Sequence, residues 1–283
     1  MKVSLIISTY NQPEWLRKVL IGYSVQDYKD FEIIIADDGS TAETELVLNE
    51  LSKTRFTKPL HHVWHKHNGF NKNVILNKAI ASAQGDYLIF TDGDCIPRRD
   101  FISAHVKEAE SGYFLSAGTV RLPLDVSEKI DEDDIVTGRA FNIQWLLQNG
   151  FSNRVIKNLK LTAKGRWVSV LNAITPAKAT WNGSNTSGWK DDILSVNGYD
   201  ERMKYGGEDR ELGERLKNKG IRSKQIRYSA ICLHLDHKRD YVNNEALRNN
   251  LQIRKETKIQ KAKWTNYGIN EAKDNINIFS NVS

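Results

Sequence analysis

Two cysteines in 283 residues cannot build a disulfide framework, and their scarcity agrees with a reducing compartment. No stretch approaches the ~20 consecutive apolar residues that a membrane-spanning helix needs. The opening Met1-Lys2-Val3-Ser4-Leu5-Ile6-Ile7-Ser8 is too weakly apolar for a signal peptide, so the expected location is the cytoplasm. There is no internal repeat and no Pro-rich or Gly/Ser-rich linker, which argues against a string of independent domains. Acidic residues are missing altogether from 151 to 190, a stretch with seven basic residues. From 238 to 263 eight Lys/Arg face Asp240, Glu245 and Glu256, whereas 125 to 134 carries six acids against Lys129. The net charge is +6. Basic blocks of this kind attract polyanions, whether nucleic acid, anionic lipid headgroups or phosphorylated saccharides. For any single block, a solvated helix face is the simpler account.

What is present reads as one large or two small α/β units, with 40% apolar and 27% charged residues. Val3 to Ser8 and Phe31 to Ala36 read as strands, Val63 to His65 as a short third, and Tyr87 to Thr91 as a fourth. Helices alternate with them. In the first, Asn11 is the expected cap, Pro13 stands near the start, and Leu16, Val19, Leu20 and Tyr23 form the apolar stripe. The second runs through Leu46 and Leu51, and the third from Val74 to Ala83. Right-handed crossovers make these strands parallel and gather their carboxyl ends on one edge, where open α/β sheets bind ligands. Thr9-Tyr10-Asn11, Asp37-Asp38 and Asp92-Gly93-Asp94 all fall on that edge. Further on, Phe101 to Ala109 reads as helix and Tyr113 to Leu122 as strand, followed by a basic, mainly helical insertion over 123–178. The Asn/Ser-rich end from Asn275 to Ser283 is expected to fray.

Three motifs carry chemistry. Residues i and i+2 of an extended segment project to one side, so Asp92 and Asp94 can act on one object, and their hard oxygens suit Mg²⁺ or Mn²⁺. The plain alternative is a solvated Asp-Gly turn. Gly206-Gly207-Glu208-Asp209 opens a helix buried through Leu212 and Leu216, with Gly220 as its stop. A carboxylate there serves as a general base, or is simply favoured by the helix dipole. In Ile231-Cys232-Leu233-His234-Leu235-Asp236-His237 two imidazoles are available to a metal. A zinc site of Cys95, Cys232, His234 and His237 is a further arrangement, but it leaves the paired aspartates idle. His61, His62, His65 and His67 have no acidic companion nearby in sequence and read as strand and loop surface.

Taken together these residues resemble the family 2 glycosyltransferases of the GT-A fold, which transfer a sugar from a nucleotide-sugar. Ile7-Ser8-Thr9-Tyr10-Asn11 is similar to the family's opening strand, Ala36-Asp37-Asp38-Gly39-Ser40-Thr41 to its nucleotide-binding turn, and Thr91-Asp92-Gly93-Asp94-Cys95-Ile96-Pro97 to its Asp-x-Asp. The later half resembles β-1,4-galactosyltransferases and chondroitin-polymerase-like bacterial enzymes. Its matching pieces are Asn182-Gly183-Ser184-Asn185, Gly188-Trp189, Val196-Asn197-Gly198-Tyr199-Asp200, Gly206-Gly207-Glu208-Asp209 and His234-Leu235-Asp236-His237.

The resemblance implies a GT-A unit over 1–237 with a nucleotide-sugar half (1–122), the insertion (123–178) and an acceptor half (179–237), followed by a helical extension (238–283). It implies that Asp94, His237 and His234 hold Mn²⁺ or Mg²⁺ and that Asp209 is the catalytic base. Thr9, Tyr10, Asn11, Asp37, Asp38, Asp92 and Gly93 are then on the nucleotide, and Asn185, Trp189, Gly207 and Glu208 around the sugars. Two departures stand out. Tyr205 occupies the place of a usual Trp, and Leu76-Asn77 that of an Arg-Asn pair, so Lys72 becomes a candidate for the diphosphate contact. The implied partners are a nucleotide-sugar donor, UDP-linked by resemblance alone, and a saccharide or glycolipid acceptor at the inner face of an anionic membrane. No nucleic acid is implied. The rival class, a basic single-stranded nucleic-acid-binding protein, draws on the charge and on Trp167, Trp181 and Trp264, and leaves both carboxylate motifs without a purpose.

Overall fold

The computed structural model describes residues 1–238 and 243–269, with 155–157 described by their backbone alone. Its order is β1 (Val3–Thr9), α1 (Pro13–Ser24), β2 (Phe31–Asp37), α2 (Ala42–Arg55), β3 (His61–Trp64), α3 (Lys72–Ser82), β4 (Tyr87–Asp92), β5 (Cys95–Pro97), α4 (Phe101–Glu108) and β6 (Tyr113–Arg121). The insertion carries α5 (Leu124–Lys129), α6 (Glu132–Thr137), a 3₁₀ turn (Arg139–Phe141), α7 (Ile143–Gln148), α8 (Val155–Thr162) and α9 (Arg166–Ile174). The chain then continues through β7 (Asn185–Trp189), α10 (Lys190–Leu194), α11 (Glu208–Lys219), β8 (Arg222–His234) and α12 (Asn244–Ile259). The fraying expected from Asn275 to Ser283 lies outside the described residues.

Period-2 alternation explains the layering. Val3, Leu5 and Ile7 of β1 point into one core with Leu16, Val19 and Leu20 of α1, while Ile6 points into the other with Ile75 and Ile80 of α3. In β4, Tyr87 and Ile89 join the first core, Leu88 and Phe90 the second. A sheet buried on both faces reads as a continuous apolar run, as β1, β2 and β4 do.

The eight strands lie in the order β3-β2-β1-β4-β7-β6-β8-β5. β1 to β4 are parallel as expected, with Ser8 beside Ala36 and Asp92, and Thr9 beside Asp37. β7 runs antiparallel to β4 and β6, and β5 antiparallel to β8. β5 and β7 do not stand out in the sequence, because Asn185-Thr186-Ser187-Gly188-Trp189 is polar. It is nevertheless buried, and its side chains are bonded: Thr186 Oγ1 donates to Leu115 O at 2.6 Å, and Ser187 Oγ lies 2.8 Å from both Tyr87 Oη and His105 Nδ1. Buried polar groups are tolerated when bonded in this way. Burial pushes the His105 imidazole down to about 4, so it stays neutral inside this network.

The first helix differs from expectation at its start. Gln12, not Asn11, is the cap residue, and no side chain caps it. Asn11 instead takes a left-handed backbone (φ 47°), and its Oδ1 accepts from Thr41 N–H at 2.9 Å, tying the β1 and β2 loops together.

Behind the acceptor half, Arg215 is buried. It donates to both oxygens of Glu211, one turn back, and to Val196 O and Gly198 O, while Thr257 Oγ1 of α12 donates to Glu211 at 2.9 Å. Replacing one member leaves a buried, unpaired charge. Arg215→Leu is expected to lower the unfolding free energy by ~3–5 kcal/mol. Urea denaturation reads this directly, and a loss below about 1 kcal/mol would mean the pair is not holding α11 to its neighbours.

Candidate active site

A single cavity of about 1250 Å³ opens at the carboxyl ends of β1 and β4. It exceeds the usual ~300–1,000 Å³ of a one-ligand site, leaving room for two substrates. The side expected to hold a nucleotide is lined by Thr9, Tyr10, Asn11, Asp38, Asp92 and Gly93. Its far wall is made by Gly183, Tyr205, Gly206, Gly207, Glu208 and Asp209, and Asp94, His234 and His237 sit between.

On that side the histidines prove to be built into the turn that the sequence motif marks. His62 Nε2 lies 2.9 Å from Asp37 Oδ2 and His65 Nε2 2.7 Å from Asp38 Oδ1. Asp38 Oδ2 accepts from Asn71 N–H at 2.8 Å, and His67 stacks on Tyr10 with ring centroids 4.7 Å apart. The reading of His62 and His65 as surface without acidic partners is thus corrected, while His61 and His67 are exposed as expected. Their partners are distant in sequence, and β3 pairing in parallel with β2 brings them to the same edge. Asp37 is fully buried, bonded to His62 and to Ser40 N–H, and supports the turn rather than lining the cavity.

Asp92 Oδ1 accepts from Ser8 Oγ at 2.6 Å and from Lys72 Nζ at 2.7 Å. Desolvation pushes the Lys72 ammonium down, but the charges of Asp92, Asp209 and Glu208 outweigh it and hold the group well above its ordinary value. Lys72 is a cation set among three carboxylates, in the cavity and at the first position of α3.

Asp94, His234 and His237 present ligand atoms all within 4.8 Å of one another. His234 Nδ1 lies 2.8 Å from Leu235 O and His237 Nδ1 2.7 Å from Lys238 O. A carbonyl only accepts, so each Nδ1 carries a proton and each Nε2 is turned to Asp94 Oδ2, at 3.6 Å and 2.8 Å. Two imidazole nitrogens and a carboxylate thus converge on one point, a donor set that suits a divalent cation. An imidazole whose other nitrogen is held by a backbone carbonyl is also the usual setting of a metal ligand. These three residues therefore fit a divalent metal. The four-residue zinc arrangement does not form, because Cys232 Sγ is buried and turned to Gly118 O, Thr119 Oγ1 and Ser184 O. Cys95 is buried behind Asp94, its Sγ 3.3 Å from Oδ1.

On the far wall, Gly206 and Gly207 have φ of 111° and 94° and aim the first turn of α11 into the cavity. Glu208 Oε2 accepts from Gly206 N–H at 2.7 Å. Asn250 Nδ2 of α12 donates to Lys204 O, Tyr205 O and Gly206 O, so the described part of the C-terminal extension pins this loop from behind. A Cβ on Gly183 would lie 2.9 Å from either oxygen of the Asp209 carboxylate, so a larger residue there would have to displace it. Asp209 Oδ1 is sealed from solvent and has no hydrogen-bond partner among the described residues. Burial pushes both acids up, Glu208 to about 7 with the neighbouring Asp209 charge adding to it, while Lys72 pulls Asp209 back down.

Two expected sugar contacts lie elsewhere. Asn185 is buried beneath the site: its Oδ1 is bonded to His105, and its Nδ2 donates to Gly118 O and Ala230 O. Trp189 is at the opposite end of β7, paired with Tyr87 at the start of β4, with its indole N–H on Glu110 O. Five residues of antiparallel strand carry it away from the edge where Asn185 sits. Trp181, one of the rings behind the nucleic-acid reading, is fully buried between Phe90 and Phe114 and offers no stacking platform.

A mixed sheet of this order, with acidic strand ends facing a helix-borne carboxylate across a cavity, defines the GT-A class of sugar transferases. The family model for glycosyl transferase family 2 matches residues 4–171, and one described as the N-terminal domain of galactosyltransferase matches residues 174–238. The chain belongs to glycosyl transferase family 2. Among curated relatives it is 26% identical to the uncharacterized glycosyltransferase YfnE of Bacillus subtilis, over 84% of this chain and 65% of that one. It is 31% identical, over 40% of this chain and 36% of that one, to the GalNAc(5)-diNAcBac-PP-undecaprenol beta-1,3-glucosyltransferase of Campylobacter jejuni. The matches thus span less than two thirds of either relative. Among solved structures it resembles TarS of S. aureus in complex with UDP-GlcNAc, with TM-score 0.61, 15% identity, and 96% and 70% of the two chains covered. It also resembles the mannosyltransferase PcManGT of Pyrobaculum calidifontis in complex with GDP-Man and Mn2+, with TM-score 0.58, 18% identity, and 92% and 62% covered. These two likenesses are ones of fold.

His237→Ala is expected to abolish the extra thermal stabilisation that Mn²⁺ gives in the presence of UDP, while leaving the melting temperature of the metal-free chain within about 2 °C. An unchanged Mn²⁺ response would exclude His237 as a ligand. Glu208 supplies a pH test. Its carboxyl has an ordinary value of 4.5 and is raised to about 7 in the folded chain, so the folded state holds the extra proton between those values. Stability from this group is full below the lower value and lost as pH rises toward the upper one. The unfolding free energy of the wild type minus that of Glu208→Gln should fall across this window and level off above it. A pH-independent difference in denaturant titrations would contradict the assignment.

Proposed function

We propose that the chain is an inverting, metal-dependent glycosyltransferase that moves a hexose or N-acetylhexosamine from a UDP-linked donor to a hydroxyl of a saccharide or glycolipid acceptor. The setting is bacterial surface polysaccharide or lipopolysaccharide synthesis, at the inner face of the cytoplasmic membrane. The observation that carries the reading is the position of Asp209, a buried carboxylate at the start of α11 in the wall of the cavity that Asp92 and Asp94 also line. A carboxylate so placed can take a proton from a hydroxyl bound in that cavity.

In the reaction the acceptor oxygen forms a bond to the anomeric carbon as the bond from that carbon to the diphosphate breaks. Attack from the face opposite the leaving group inverts the configuration. Asp209 takes the hydroxyl proton, and the electron pair of the broken bond leaves on the nucleoside diphosphate. A divalent ion held by Asp94, His234 and His237 would neutralise charge on that leaving group, and two imidazoles favour Mn²⁺ over Mg²⁺. Lys72 opposes the effect of burial and so favours the ionised form of Asp209. The same ammonium, on Asp92, is in place to meet a donor phosphate where Leu76 offers no cation. On the nucleotide side, Tyr10 supplies a ring for a base, and Asp38, held by His65 and Asn71 N–H, supplies an oriented carboxylate.

Asp209→Asn is expected to lower transfer by a factor of ~10²–10⁴ while UDP and Mn²⁺ still bind within about threefold of the wild type. Product release measured on a panel of UDP-sugars, alongside calorimetry with UDP, separates the two. Near-normal turnover by the purified variant would rule out Asp209 as the base.

A further inference from the structure

The helix α9 is held in place yet leaves its apolar residues outside. Asn172 fixes it to β8, accepting from Tyr228 N–H at 2.9 Å and donating to Ser229 Oγ at 2.8 Å. None of its residues is buried. Trp167, Val170 and Ile174 follow one another at three- and four-residue spacing, so they share one helix face, and they are 61%, 41% and 68% exposed. Exposed Lys164 and Arg166 stand at the start of the helix and exposed Lys178 just beyond its end.

We propose that α9 is an interfacial helix that seats Trp167, Val170 and Ile174 in the headgroup region of an anionic bilayer, with the surrounding basic residues on the lipid phosphates. An apolar stripe carrying a Trp and rimmed by Lys and Arg is the pattern of helices that lie in a membrane surface. Charge selects this occupant over a second copy of the chain. The stretch 151–190 holds seven basic residues and no acid, so two such faces brought together repel, while an anionic surface attracts both. The other basic block is less available, since Arg254 and Lys258 of α12 both pair with Glu214.

The docked face is also joined to the site. Lys160 of α8, the helix before α9, donates to Thr119 O at 2.7 Å, and Thr119 lines the cavity. A membrane seated on α9 therefore holds the cavity at a set height above the lipid. This suits an acceptor hydroxyl carried on a membrane-anchored lipid, and to that extent the inference rests on the acceptor proposed above.

The test is flotation of the full chain at low salt with vesicles of phosphatidylcholine alone or mixed with phosphatidylglycerol, alongside the double variant Trp167→Glu/Ile174→Glu. The wild type is expected to float with the anionic vesicles and not with the neutral ones, and the variant to bind about tenfold less. Both should hydrolyse soluble nucleotide-sugar at the same rate. Equal flotation of variant and wild type overturns the docking helix. So does a wild-type dimer in light scattering that the two substitutions dissociate without any lipid binding, or tighter binding to a single-stranded oligonucleotide than to vesicles at the same salt. Donor hydrolysis without flotation sinks the docking alone, whereas flotation without hydrolysis of any donor supports docking and sinks the transferase reading.

Discussion

Burying carboxylates together is the constraint on which this site depends. Asp92, Asp94, Glu208 and Asp209 line one cavity, where like charges in a low dielectric repel and desolvation favours protonation. The chain answers with three kinds of compensating partner. Lys72 sits on Asp92 and pulls Asp209 down, the imidazoles of His234 and His237 converge on Asp94, and the first turn of α11 sets its dipole against Glu208 and Asp209. The balance differs between the two acids of α11: burial raises both, Glu208 to about 7, and at Asp209 the Lys72 charge is the first influence opposing the rise.

Around this cluster, much of the structure works to keep the two halves of the cavity in register. One side of the cavity is built on parallel strands whose ends are fixed by backbone pairing, with His65 and Asn71 N–H on Asp38 and Ser8 and Lys72 on Asp92. The opposite wall comes from a loop, and loops need bracing. α12 supplies it through Asn250, whose amide bonds three successive carbonyls of Lys204, Tyr205 and Gly206. Thr257 of the same helix completes the Glu211–Arg215 pair beneath α11. The extension that reads only as a basic helix in sequence is thus part of the cavity's framework.

Where sequence reasoning went astray, the cause was distance along the chain. β7 does not stand out because its residues are polar, and their partners His105, Tyr87 and Leu115 lie more than sixty positions away. His62 and His65 read as surface because Asp37 and Asp38 precede them by 25 and 27 residues. Register could have found them, since a third strand parallel to the second must bring its histidines toward the Asp37-Asp38 turn. Trp189 misled in the opposite direction: it is four residues from Asn185, but a strand of five residues spans the sheet and delivers its end to the far side.

Local pattern was enough for the alternation of β1 to β4 with their helices, for the acidic strand ends on one edge, and for the glycines that open α11. Each of these follows from periodicity or backbone freedom within a few residues. Tertiary structure alone decided which histidine nitrogen faces Asp94, that Lys72 stands among the carboxylates, that Gly183 makes room for Asp209, and that Asn185 lies beneath the cavity while α9 turns its Trp outward. Those depend on separations of a few ångströms between residues far apart in the chain, a quantity that a linear pattern does not contain.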